Sequence, residues 1–148
     1  MDIKQLDDHF SVTAQPGIDD IEQLANAGFR TIIASRPRNE TDDQPDAETL
    51  KNKAESLGMT WYEIPVEPGK YAPEDIEAFA NALQSSTDPV LGYCRTGKRA
   101  MHLWAYAKAA HYPVTDLLSK ASAAGYDLEP LRDDLERYRN RGGVRDDR

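Results

Sequence analysis

The stretch from Pro89 to Ala110 constrains this chain most. The short apolar run Pro89-Val90-Leu91-Gly92-Tyr93 reads as a buried strand. It passes through the loop Cys94-Arg95-Thr96-Gly97-Lys98-Arg99 into a strong helical pattern over residues 100–110. The rest of the chain repeats this alternation of short apolar runs and helical patterns, which predicts an α/β fold.

Before that junction, residues 3–6 and 10–13 are strand candidates, and Ala14-Gln15-Pro16-Gly17 separates them from a helix over residues 18–27. Ile18, Ile21, Leu24 and Ala25 fall on one face of that helix, and Gly28 suits the position just past its end. The β-branched run 31–35 is expected to be a central strand, followed by a loop rich in Pro, Asn and Asp up to Pro45. A helix over 46–57 and a strand over 60–66 come next. Pro73 then opens a helix whose core stripe is Ile76, Phe79, Ala80 and Leu83. After Pro113, Thr115 is expected to cap a helix ending near Gly125, and a charged helix covers about 129–140. The reading is one domain over residues 1–140 with a frayed, charged tail at 141–148.

Composition narrows the function. With 148 residues, 39% hydrophobic and 30% charged, the chain can bury a core without disulfides. Its net charge of −8 argues against nucleic-acid or anionic-membrane partners, which need a basic surface. No apolar run nears the roughly 20 residues of a membrane span, and Met1-Asp2-Ile3-Lys4-Gln5 carries no leader pattern, so a cytoplasmic protein is expected. The acidic pairs Asp42-Asp43 and Asp146-Asp147 lack the spacing of a calcium loop; neither a metal nor a cofactor is expected. The single cysteine excludes an internal disulfide and is either buried filler or a reactive thiol.

Its neighbours favour the thiol. A strand-loop-helix junction leaves backbone N–H groups unpaired at the helix start, and with the helix dipole they form an anion site. Gly97 allows the loop to turn back, and Arg95, Lys98 and Arg99 place three cations within it. The same dipoles and cations favour a thiolate at Cys94, so one loop both activates a nucleophile and binds the anionic group it attacks. The fork of Arg99 matches two oxygens of a tetrahedral anion, as a lysine cannot.

The loop and the order of elements around it resemble the phosphatase-like domain of the bacterial beta-lactamase-hydrolase-like protein family. The likeness spans about residues 2 to 112. It includes Thr13-Ala14-Gln15-Pro16, Ile33-Ala34-Ser35-Arg36-Pro37 with Glu40 beyond, and Ile64-Pro65-Val66. It implies a central, mostly parallel sheet flanked by helices, similar to dual-specificity, cysteine-dependent protein phosphatases. Those phosphatases carry Cys-x5-Arg, whereas here Arg99 lies five positions after Cys94 and position 100 is alanine. That shorter spacing looks like the active loop of rhodaneses. Tyr93 stands where the phosphatases have histidine, and Ala100 where they place a serine or threonine.

The leading expectation is therefore a rhodanese-like sulfurtransferase. Cys94 would take sulfane sulfur from thiosulfate or a persulfide and pass it to an acceptor thiol or cyanide. Arg99 is its catalytic partner, and Arg95, Thr96, Gly97, Lys98 and Ala100 form the substrate loop, with Arg36 as a further cation. The alternative is a phosphatase working through a Cys94 phospho-enzyme, for which Glu67 is the closest candidate acid, though it also reads as an exposed turn glutamate. The second alternative is a non-catalytic sensor of anions or persulfides. Full-length members of the resembling family can carry a fused metallo-hydrolase domain, for which this chain is expected to have no room. A persulfide-oxidising enzyme would then be a separate partner. Gln15 is placed near the same sheet edge and His102 one turn into the helix after the loop, while Trp104 and Tyr106 read as packing residues.

Overall fold

The computed structural model describes residues 1–143, so the expected tail lies largely outside the described residues. Five strands form one sheet: β1 (Lys4–Gln5), β2 (Phe10–Thr13), β3 (Thr31–Ala34), β4 (Thr60–Glu63) and β5 (Val90–Tyr93). Their spatial order is β1-β2-β5-β3-β4, with only β1 antiparallel to its neighbour. β5 is thus the central strand, and β3, the expected centre, lies one place out. The helices are α1 (Ile18–Asn26), α2 (Ala47–Ser56), α3 (Pro73–Gln84), α4 (Lys98–Lys108), α5 (Val114–Ala123) and α6 (Arg132–Asn140).

The sheet separates two cores, and the two-residue period of a strand sorts its side chains between them. Ile32 and Leu91 pack with Ile21 and Leu24 of α1 and with Leu50 and Ala54 of α2. Ile33 and Val90 pack on the other face with Phe79 of α3 and with Leu103 and Trp104 of α4. Phe10 and Phe79 meet edge to face there, with ring centroids 5.5 Å apart. All four residues of the expected stripe on α3, Ile76, Phe79, Ala80 and Leu83, are buried. Among the described residues no helix is long and apolar enough to cross a membrane.

Several boundaries differ from the sequence reading for identifiable reasons. Ile18 is 41% exposed at the first turn of α1, so the buried face begins at Ile21. β4 ends at Glu63, yet Ile64 and Val66 still donate backbone hydrogen bonds to Ala34 and Ser35. Pro65, with no N–H, breaks the regular ladder between them. Pro113 rather than Thr115 occupies the cap of α5. The charged helix begins as a 3-10 turn over Glu129–Leu131 before α6. Most relevant to the site, α4 starts at Lys98, so Lys98, Arg99 and Ala100 form its first turn instead of closing a longer loop.

Candidate active site

Register brings the site residues together. Thr13 and Ala34 both pair with Tyr93, so β2, β5 and β3 end side by side. The chain that follows each strand emerges at the same sheet edge, where sites form in parallel α/β sheets. Gln15 N–H donates to Arg95 O at 3.2 Å, and Ser35 N–H donates to Tyr93 O at 2.9 Å. These bonds pin the start of the Cys94 loop to both neighbouring strands. The Ser35 hydroxyl beside this junction is the one buried side-chain polar atom left without a partner among the described residues.

Cys94 is fully buried at the end of β5, and Gly97 N–H donates to its Sγ at 3.2 Å. Gly97 makes that contact possible by adopting a φ of +90°, in the left-handed region open to glycine. A Cβ at Gly97 would also collide with Tyr126 Oη, which donates to Thr96 O at 3.4 Å across the outside of the loop. The next residues open α4, whose first-turn N–H groups have no acceptor within the helix. Cys94 therefore sits against the positive end of α4 with a backbone N–H donated to its sulfur.

Arg99 is buried and its fork is occupied. Nη1 donates to Glu40 Oε2 at 2.8 Å and to Val66 O at 2.9 Å, while Nη2 donates to Glu40 Oε1 at 2.9 Å. Arg36, also buried, meets the same carboxylate: Nε donates to Glu40 Oε1 at 3.0 Å, Nη1 to Gln15 Oε1 at 3.1 Å and Nη2 to Thr41 Oγ1 at 3.0 Å. The Arg99 bond, opposed by burial and reinforced by Arg36, holds the Glu40 carboxyl below the usual carboxylate range. Glu40 in turn pushes the Arg99 guanidinium up. The fork expected to grip a substrate anion is thus aligned by a glutamate, and Arg36 serves as the strut of that glutamate.

In front of the loop lies a cavity of about 420 Å³. It is lined by Arg95, Thr96, Lys98, Arg99 and His102 from the loop and the start of α4, by Pro68, Gly69 and Tyr71 from the segment before α3, and by Glu40. Ala100 is buried and faces Gly92 of β5, so it enters the site through its backbone alone. Glu67, the candidate acid, points elsewhere: it is exposed on a tight turn and forms an ion pair with Lys70 at 3.4 Å. Among the described residues Glu40 is the only carboxylate on the cavity wall.

His102 is buried, and its Nδ1 lies 2.8 Å from Tyr71 Oη. Burial, reinforced by the charge of Lys98, pushes its imidazole down to about 4. Gln15 joins the site through Arg36, whereas Trp104 donates from the core to Asp7 Oδ2 at 2.9 Å and Tyr106 bonds Asp134. Tyr71, Tyr126 and the Val66 carbonyl were missed at the sequence level. Tyr71 lines the cavity, Val66 O holds Arg99 and Tyr126 holds the loop at Thr96 O, all from irregular segments with no local motif to announce them.

The phosphatase-like domain of the beta-lactamase hydrolase-like protein matches residues 2–111. A beta-lactamase hydrolase-like protein of Xylella fastidiosa (strain Temecula1) is 30% identical over 108 residues, which is 73% of this chain and 25% of that protein. The chain thus spans a quarter of that relative's length. A crystal structure of a candidate phosphatase from Neisseria meningitidis Z2491 is 37% identical, with a TM-score of 0.82 over 93% of this chain and 98% of the other. The kinase associated phosphatase, solved with serine replacing its catalytic-site cysteine, is 14% identical. Its TM-score is 0.75, over 95% of this chain and 94% of its own. The fold is that of the cysteine-dependent phosphatases.

Proposed function

The chain belongs to the family of the beta-lactamase hydrolase-like protein's phosphatase-like domain, and on that premise we propose that it is a cysteine-dependent phosphatase acting on a small phosphomonoester. The observation that carries this reading is the placement of Cys94 Sγ, bonded by Gly97 N–H at 3.2 Å at the start of α4 within a phosphatase fold. In the first step Sγ attacks phosphorus, an Sγ–P bond forms, and the ester P–O bond breaks with its electron pair on the leaving oxygen. The phosphoryl oxygens take hydrogen bonds from loop and first-turn N–H groups, with Arg99 held close by Glu40. Water then attacks the phosphorus, releasing phosphate and restoring Cys94.

This places phosphoryl transfer ahead of the sulfurtransferase expected from the spacing of the loop, since the family and the solved relatives support the phosphatase. A second reading is nevertheless favoured by two observations. Arg99 follows Cys94 by five positions, and Glu40, the one carboxylate on the cavity wall among the described residues, is held ionised by two arginines. Sulfur transfer from thiosulfate or a persulfide suits both, because its leaving group departs without a proton.

A paired assay of the protein and its Cys94→Ser variant separates the readings. One arm supplies an aryl phosphate, and the other supplies thiosulfate or glutathione persulfide with a thiol acceptor. The proposal expects turnover in the phosphate arm that the variant abolishes. Turnover confined to the sulfur arm would establish the sulfurtransferase instead, and single modification without turnover would leave a sensor.

A further inference from the structure

We propose that Tyr71, oriented by His102, is the proton donor to the leaving-group oxygen in the Cys94 reaction, an inference that rests on the phosphatase reading above. Cleaving a phosphomonoester leaves an alkoxide or phenoxide, and a positioned acid at that oxygen is worth about 10²- to 10⁴-fold in rate. The carboxylates nearest the site cannot supply it. Glu40 is held as an anion between Arg99 and Arg36, and Glu67 points outward to Lys70.

Tyr71 and His102 line the same cavity as the loop cations Arg95, Lys98 and Arg99. Tyr71 Oη and His102 Nδ1 are 2.8 Å apart. The Tyr71 ring is further fixed edge to face against His102, with centroids 5.6 Å apart, and tilted against Tyr106 at 6.0 Å. With its proton on Nδ1, a neutral His102 donates to Tyr71 Oη, leaves the phenol proton free for the substrate and stabilises the phenolate as it forms. Burial keeps the Tyr71 phenol protonated at neutral pH, so the proton is present when substrate arrives. Other donors fit less well. Lys98 also lines the cavity, but it is an exposed side chain on the first turn of α4. Tyr126 spends its proton on Thr96 O. A donor fixed in advance costs no reorganisation during the reaction, which favours Tyr71 over the lysine.

The step balances. Sγ–P forms as P–O breaks, and the leaving oxygen takes the Tyr71 proton. When water attacks the phospho-enzyme, P–S breaks and the water proton returns to the Tyr71 phenolate.

The test measures kcat/KM of the full chain on aryl phosphates whose leaving groups grade from phenol to dinitrophenol. Tyr71→Phe keeps the ring and removes the hydroxyl that carries the proton. The expected result is a loss of ~100-fold on phenyl phosphate that shrinks toward nothing on dinitrophenyl phosphate. His102→Leu should produce the same leaving-group dependence more weakly. His102→Asn, with an amide where Nδ1 stood, should reverse much of it. Lys98→Met should leave the dependence unchanged. A Tyr71→Phe loss equal across the series, or no loss, overturns the proposal while the phosphatase reading stands. Steepening in Lys98→Met in place of Tyr71→Phe also overturns it. Absence of wild-type turnover on every aryl phosphate overturns both together.

Discussion

Two buried arginines on one carboxylate make Glu40 the residue on which the site's alignment depends. Removing its charge would leave Arg36 and Arg99 buried without a counter-ion, which is costly because their desolvation is no longer offset. Glu40→Gln is expected to lower stability by on the order of 3 kcal/mol, read by chemical denaturation, and to reduce kcat/KM as Arg99 loses its orientation. The pH dependence has a definite sign. Arg99 lowers the Glu40 carboxyl in the folded state, so its stabilisation is complete above the ordinary glutamate range and is lost as pH falls through the folded value. The wild type should therefore lose more stability on acidification below about 4.3 than Glu40→Gln does. An equal loss in both would show that the arginines do not act through this carboxylate. At this scale the sequence was informative only near Cys94. The loop announces itself by a nucleophile, a glycine and three cations in a row. Glu40 was visible only as part of a resemblance and as a loop residue beyond a strand's C-terminal end, and Tyr71 not at all, because a tyrosine between a turn and a helix becomes a site residue only when folding sets it beside His102.

The element on which the proposed chemistry rests is the β5-α4 junction. Gly97 turns the chain at positive φ so that α4 can begin with the very next residue and its N-terminus faces Cys94. Gly97→Ala is expected to cost roughly 1–3 kcal/mol from backbone strain and to move the N–H away from Sγ, with a fall in activity beyond that explained by lost protein. Adding Tyr126→Phe should relieve the side-chain collision but not the strain, so only part of the stability returns. Full recovery in the double variant would show that the left-handed φ is not needed. The strands and helices themselves were legible to within a few residues because their apolar periods are regular. The start of α4 was not: three basic residues around a glycine read as loop, and only the conformation of Gly97 shows that the helix has already begun. The central position of β5 was equally hidden, since strand order is decided by crossovers and not by any strand's own composition.

Across the whole molecule, the sheet stacks two cores that hold the site rigid from both faces, and α4 carries the burial of one core to the wall of the cavity. His102 is where that burial meets ionisation. Burial lowers its imidazole from the ordinary 6.5 to about 4, so on acidification the unfolded chain gains a proton that the folded chain does not. Stability should fall as pH drops from 6.5 to about 4 and level off for this group below that. His102→Asn should flatten the decline; an unchanged profile would mean that His102 ionises as freely in the folded protein as in the unfolded chain. The net charge of −8 is a property of the whole surface, whereas the cavity carries the local field of Arg95, Lys98 and Arg99, which the proposed anionic substrate would meet.

Cys94 is expected to carry the transferred group, and rapid acid quench followed by peptide mass analysis would reveal it. The protein would be mixed with an aryl phosphate, and in a parallel run with thiosulfate. A phosphoryl group is expected on the peptide containing Cys94 in the first run, formed within one turnover and absent from Cys94→Ser. A sulfur atom added to Cys94 in the second run, with no phosphoryl adduct in the first, would contradict the phosphatase reading. Turnover with Cys94 unmodified in both runs would contradict the covalent mechanism itself.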